Sequence, residues 1–221
     1  MASFAYDPED YAGLGTLGQA IDSFDASPAQ TVLDTAMCDL FEKYGMASKF
    51  GLGLVHRHFD MSDKEILVEH GATSTPWAIP TDPSNFMEGQ IIPRSWHFGE
   101  DADAPKPYEF AFQRRGETKW PAMNQDLDAA FVEELREALQ QHGLMSILGL
   151  VALPADYVTA EHPTRVLCEK TFGRANVVFE LGPEAMLDKE KRTSVWTFGK
   201  FARGGRESML CFSGCMCTRD G

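Results

Sequence analysis

Two stretches of this chain match one another about a hundred residues apart, and that restricts the folds open to it. Gly45-Met46-Ala47-Ser48-Lys49-Phe50-Gly51-Leu52 lies over Gly143-Leu144-Met145-Ser146-Ile147-Leu148-Gly149-Leu150 at an offset of 98, with four identities in eight positions. At an offset of 100, Ile66-Leu67-Val68-Glu69 lies over Val166-Leu167-Cys168-Glu169, and Trp96-His97-Phe98-Gly99 over Trp196-Thr197-Phe198-Gly199. A chain built this way is expected to use one supersecondary unit twice.

Each unit begins with a helix. Ser27-Pro28 provides a cap and a first-turn proline, and Val32, Leu33, Ala36, Met37, Leu40, Phe41 and Tyr44 follow at helical spacing until Gly45. The second helix runs from Asn124 or Asp126 through Leu127, Ala130, Phe131, Leu135, Ala138 and Leu139 to Gly143. Short extended segments follow each helix, near 49–58, 64–70, 76–80, 92–98 and 108–113, then 146–153, 164–170, 175–181, 194–199 and 208–213. The expected fold is α+β, an internal duplication of a helix-plus-antiparallel-sheet unit packed with pseudo-two-fold symmetry. The expected organisation is an N-terminal arm over 1–27, a first repeat over 28–115, a linker over 116–123, a second repeat over 124–215 and a tail over 216–221.

The two units differ in chemistry. Four of the six histidines lie between 56 and 97, and their counterparts are Pro154, Asp156, Lys170 and Thr197. On a strand continuing Phe50, Leu52 and Leu54, His56 and His58 share one face. Such a pair, with Glu65 from the next strand, could hold a divalent ion, because neutral imidazole suits Zn, Fe, Cu or Ni. Without an ion, His56, His58, Glu69 and His97 are candidate acid–base groups. A third alternative is a purely structural histidine pair. Arg57 and Trp96 are candidates for substrate contact, Arg57 as a clamp on a carboxylate. Trp96 is matched by Trp196 and also reads as core, and Glu69, matched by Glu169, also reads as scaffold.

The order histidine, any residue, histidine, then glutamate and glycine is similar to the first metal motif of cupins. The gap from His58 to Glu65 is longer than that motif takes and no second motif follows, so the chain is not placed in that family. Cys211, Cys215 and Cys217 are close enough in sequence for a thiolate site, but the spacing is not that of a zinc ribbon. They are expected not to form an essential metal site.

Composition narrows the partners. The formal net charge is −13, which repels phosphate backbones and anionic membranes, so neither nucleic acid nor membrane is an expected partner. No glycine-rich nucleotide loop and no G-x-S-x-G elbow is present. An odd count of five cysteines argues against a disulfide framework, and the first residues lack a secretory pattern, so a cytoplasmic location is expected. The functional expectation is a small-molecule enzyme using the histidine pair, with one divalent metal (Fe, Zn, Mn or Cu) or none, and no nucleotide cofactor. Its chemistry would be that of an isomerase, cyclase, lyase or oxygenase. The alternative is a non-catalytic binding protein for a hydrophobic ligand.

Overall fold

A computed structural model describes residues 6–99, 104–121, 127–155, 157, 167–181, 191–203 and 206–218. The N-terminal stretch, expected as an arm, carries two helices, α1 (Pro8–Ala12) and α2 (Leu17–Asp25). Asp7 caps α1. Thr16 and Gln19 form a reciprocal capping box on α2. Tyr11 and Ile21 from this stretch are buried.

The helix expected after Ser27-Pro28 is present, and Ser27 Oγ accepts from the Ala29 amide. It runs as α3 (Ala29–Val32), a π-helical stretch Leu33–Met37, and α4 (Cys38–Tyr44). Gly45 ends it in the left-handed conformation at φ 64°, and Gly143, at φ 68°, follows the end of α5 (Ala129–Gln141). On either side of α5 come five strands. The first five are β1 (Phe50–Leu54), β2 (Glu65–His70), β3 (Thr73–Ala78), β4 (Gly89–His97) and β5 (Lys106–Arg114). The others are β6 (Leu148–Ala152), β7 (Leu167–Phe172), β8 (Ala175–Glu180), β9 (Lys191–Arg203) and β10 (Arg206–Thr218).

These strands close into one barrel in the order β1-β6-β4-β5-β2-β3-β8-β7-β10-β9, with β9 pairing back to β1. The α+β expectation of two packed helix-plus-sheet halves is therefore wrong. No strand group in either part closes a sheet of its own. β1 has β6 and β9 as its neighbours, β4 pairs with β6, and β3 pairs with β8. The segments were legible because alternation is local. Their partners were not, because any apolar strand edge can accept any other. The ladders are antiparallel except for β2–β5 and β7–β10, which run parallel. Exchanging β1–β5 for β6–β10 leaves the order around the barrel unchanged, a regularity of pairing inside a single closed sheet.

The main core lies between the helices and one side of β1, β6, β4 and β9. Phe50, Leu52 and Leu54, and Leu148, Leu150 and Ala152, alternate into it against Leu33, Phe41, Phe131 and Leu135. Phe41 stacks on Phe198 at 4.1 Å, and Phe24 on Trp196 at 4.7 Å. The residues between these apolar ones are glycines where another backbone crosses. A Cβ on Gly51 would sit 2.5 Å from the Trp196 carbonyl oxygen, and one on Gly149 would overlap the Trp96 carbonyl oxygen. Trp96, a candidate for substrate contact that also reads as core, is buried in this cluster.

Candidate functional site

β1 stops at Leu54, so the histidines expected on an extended strand lie just beyond its end. What holds that segment is the N-terminal stretch. Arg57 donates through Nη1 to the carbonyls of Ala12 (2.7 Å) and Leu14 (3.1 Å), and its amide donates to Gly15 O. The His58 amide donates to the Tyr11 hydroxyl at 3.2 Å. Arg57 thus fastens α1 over the site, and its guanidinium is occupied by carbonyls and by Asp60 at 3.3 Å rather than aimed at a substrate.

With the backbone fixed, the two imidazoles meet edge to face, 4.7 Å between centroids. His56 is buried, and its Nδ1 lies 2.9 Å from the Leu54 carbonyl oxygen. A carbonyl only accepts, so Nδ1 carries the proton and Nε2 carries the lone pair. Burial first, and the neighbouring His58 second, lower the pKa of His56 and keep it neutral. Its Nε2 is buried without a hydrogen-bond partner among the described residues.

His58 has the opposite electrostatics. Burial opposes its charge, but the hydrogen bond to Glu109 and the charges of Glu169 and Glu109 outweigh burial and raise its pKa. Nε2 of His58 is 3.0 Å from Glu109 Oε1, and Glu109 Oε2 accepts from Ser95 Oγ at 2.6 Å. Burial pushes the Glu109 carboxyl up, but His58, Arg94 and Ser95 together hold it down at about 2. A bulge in β4 between Pro93 and Trp96 turns Arg94 and Ser95 toward this carboxylate. The third acid is Glu169 of β7. Its Oε2 accepts from Asn176 Nδ2 of β8 at 3.2 Å, and its Oε1 is buried without a partner among the described residues. Ligand atoms of His56, His58 and Glu169 all lie within 4.8 Å of one another. Groups from β5, β7 and β8 meet here across the inside of the barrel, since β5 and β8 are not neighbours in its order.

The other sequence candidates lie elsewhere. Glu65, expected as the carboxylate ligand, is bonded by Arg174 and by the Ser62 amide. His97 is half-buried beside Tyr108 (5.9 Å), in the field of Asp10 and Lys106, and burial lowers its pKa. Glu69 pairs with Arg94 Nη1 at 2.7 Å and Lys119 Nζ at 3.7 Å. Of the C-terminal cysteines, Cys217 is buried near Glu169, and burial pushes its thiol pKa well up. The side chains of Cys211 and Cys215 fall outside the described residues.

Sequence reasoning missed Glu109 and Glu169. Glu109 had a signal, a lone acid in the apolar run Tyr108 to Phe112. Glu169 was matched to Glu69 and read as scaffold. The ladders keep that match, because Glu69 faces Ala111 and Glu169 faces Cys217 at the same step of the two parallel pairs. What differs is the cation. Arg94 answers Glu69, while position 194, a hundred residues on, is a serine. Glu169 is left facing the histidines instead.

No family model, no curated protein and no solved structure matches this chain.

Proposed function

We propose that this protein is a metal-dependent enzyme acting on a small molecule, with one divalent ion held by His56, His58 and Glu169 inside the barrel. The observation that carries the reading is the pair of buried acceptors, His56 Nε2 and Glu169 Oε1, each without a donor among the described residues. A buried lone pair left unmet costs about 1–3 kcal/mol. A cation meets both at once. Bonds of about 2.0–2.2 Å at tetrahedral or octahedral angles hold ligand atoms roughly 3.0–3.6 Å apart, so ligand atoms within 4.8 Å of one another draw together by up to about 1–2 Å on an ion.

The surrounding groups fit this use. Glu109 grips His58 as an outer carboxylate grips a ligating imidazole, fixing ring orientation and basicity. Asn176 orients Glu169 in the same way. Two imidazoles and one carboxylate leave coordination positions open, the arrangement of Fe(II) oxygenases and of zinc lyases and hydrolases. Bound there, the ion would polarise a substrate oxygen as a Lewis acid. A cytoplasmic location belongs to the same proposal and is supported by the free thiols of Cys38, Cys168 and Cys217. Among the described residues no helix is long and apolar enough to cross a membrane.

Elemental analysis of the untagged protein tests the reading. About one equivalent of Fe, Zn, Mn or Cu is expected, falling to background in His56→Ala plus Glu169→Ala while the circular dichroism spectrum is kept. Binding requires His58 to give up its proton, so affinity for added ion should rise with pH through the raised His58 pKa. A chelated protein that takes up none of these ions in titration would overturn the proposal and leave a metal-free binding protein.

A further inference from the structure

A second concavity lies on the face of β2 away from Glu69, since His70, the next residue, lines it. This groove measures about 670 Å³, with His70, Trp77 and Phe112 as an aromatic wall and the exposed Met87, Glu88 and Arg114 at its edge. We propose that it binds a free aromatic amino acid as the zwitterion, with the ring against the wall, the α-carboxylate on Arg114 and the α-ammonium on Glu88.

The wall is built before any ligand arrives. Trp77 and Phe112 lie 5.7 Å apart at an interplanar angle of 40°, and His70 stands edge-on to Phe112 at 5.4 Å. Trp77 Nε1 donates to Thr75 Oγ1 at 3.0 Å, which fixes the indole, and Phe86 backs it at 5.9 Å. A ring entering the groove adds one more offset or edge-to-face partner to this set. The volume falls within the roughly 300–1,000 Å³ of small-molecule sites, room enough for an indole and its amino-acid group.

The edge supplies one charge of each sign. Arg114 faces Gly89 across the β4–β5 ladder, and Glu88 precedes Gly89, so the two side chains start from neighbouring positions. Neither the Arg114 guanidinium nor the Glu88 carboxylate has a partner among the described residues. Arg115, by contrast, gives Nη2 to Asn85 Oδ1 at 2.9 Å. A guanidinium takes a carboxylate through two parallel N–H···O bonds, and a carboxylate accepts charge-assisted bonds from an ammonium. No surplus of either charge is required, because a zwitterion brings both. The chain's net charge of −13 opposes a free anion at this surface and leaves a neutral zwitterion unopposed.

The turn that presents Glu88 is strained. Phe86 and Gly89 exchange backbone hydrogen bonds of 2.9 Å, so Met87 and Glu88 are the central pair of a hairpin turn, at φ 45° and 62°. Those positions favour glycine, asparagine or aspartate. Met87 is also 72% exposed, an apolar side chain held open beside the groove. Strained positions of this kind cluster at ligand clamps. Here the strain sets a carboxylate and a thioether at the same aromatic wall, and sulfur against a ring is a favourable contact. Gly89 closes the turn against Phe112, where a Cβ would come within 2.6 Å of the ring.

Calorimetric titration of the full chain, as isolated and after chelation, tests the assignment with L-tryptophan, tryptamine, indole-3-propionate and L-alanine. L-Tryptophan should bind saturably. Tryptamine lacks the carboxylate and indole-3-propionate lacks the ammonium, so each should bind at least about tenfold more weakly. L-Alanine, without the ring, should not bind. Glu88 and Arg114 are exposed, so Glu88→Gln and Arg114→Gln keep the fold. Each should weaken L-tryptophan about tenfold. Glu88→Gln should leave indole-3-propionate unchanged and Arg114→Gln should leave tryptamine unchanged, a pairing of losses that a general disturbance of the groove would not give. Absence of saturable L-tryptophan binding, equal affinity for any of the three analogues, or full affinity in either variant would each overturn the proposal. Binding lost on chelation would place the amino acid on an ion and refute the groove assignment. Binding that survives chelation supports the groove whether or not His56, His58 and Glu169 hold a metal.

Discussion

Replacing Glu109 with alanine is expected to destabilise the metal-free protein by about 3–5 kcal/mol, as removal of one member of a buried ion pair does. The change leaves the buried His58 without its hydrogen-bond partner, removes the acceptor of Ser95 Oγ, and strips Arg94 of its nearby second carboxylate. Its pH signature has a fixed sign. Glu109 ionises at about 2 in the folded protein, against an ordinary value of 4.5. Its contribution is present above 4.5 and is lost as pH falls from there through about 2. His58 acts in the opposite sense. Its pKa is raised above 6.5, so its contribution is complete below 6.5 and is lost as pH rises through the folded value. Urea unfolding of the chelated wild type should therefore give the largest contribution from this pair between pH 4.5 and 6.5. Glu109→Ala should flatten the acid limb. A steep acid limb retained in that variant would show that the buried pair does not govern it.

Gly149→Ala is expected to cost about 3 kcal/mol or more, at the top of the range for overpacked cores. The added methyl overlaps the Trp96 carbonyl oxygen and comes within 2.9 Å of Val55 Cγ2. The first of these is backbone in a hydrogen-bonded ladder and cannot turn aside. Gly45→Ala is the comparison. Its cost is only that of a left-handed alanine, about 1–2 kcal/mol, because a Cβ there meets nothing within 4 Å. Chemical denaturation of both variants checks the ranking, and equal losses would mean that the crossing is looser than the geometry shows.

These two glycines also show what a reader of the sequence can and cannot extract. Gly45 and Gly149 belong to one matched motif, and their recurrence at Gly143 and Gly51 was visible at once. The helix stops followed from that, as did all ten strand segments, since turn chemistry and alternation are properties of neighbours in sequence. That Gly51 faces the Trp196 strand and Gly149 the Trp96 strand was not visible. Nor was the closure of everything into a single barrel. Pairing between segments about a hundred residues apart leaves no local trace. The site divides along the same line. His56 and His58 are two residues apart, and their common direction could be read from the pleat. Their carboxylates come from Glu109 and Glu169, on strands that only the closed barrel brings near. Glu65, the nearest acid along the next strand, is claimed by Arg174.

The placement of β1 between β6 and β9 has a consequence in time. As the chain leaves the ribosome, Phe50–Leu54 appears before either neighbour exists, and β6 begins only at Leu148. At about 5–20 residues per second, this glycine-and-leucine segment waits several seconds or more with both edges bare. The helix that precedes it is the apolar cover available meanwhile, through Leu33, Met37 and Phe41, which belong to the same core as Phe50 and Leu52. Phe50–Leu54 is among the strands that must wait longest for their partners, and the ring cannot close until β9 has been made.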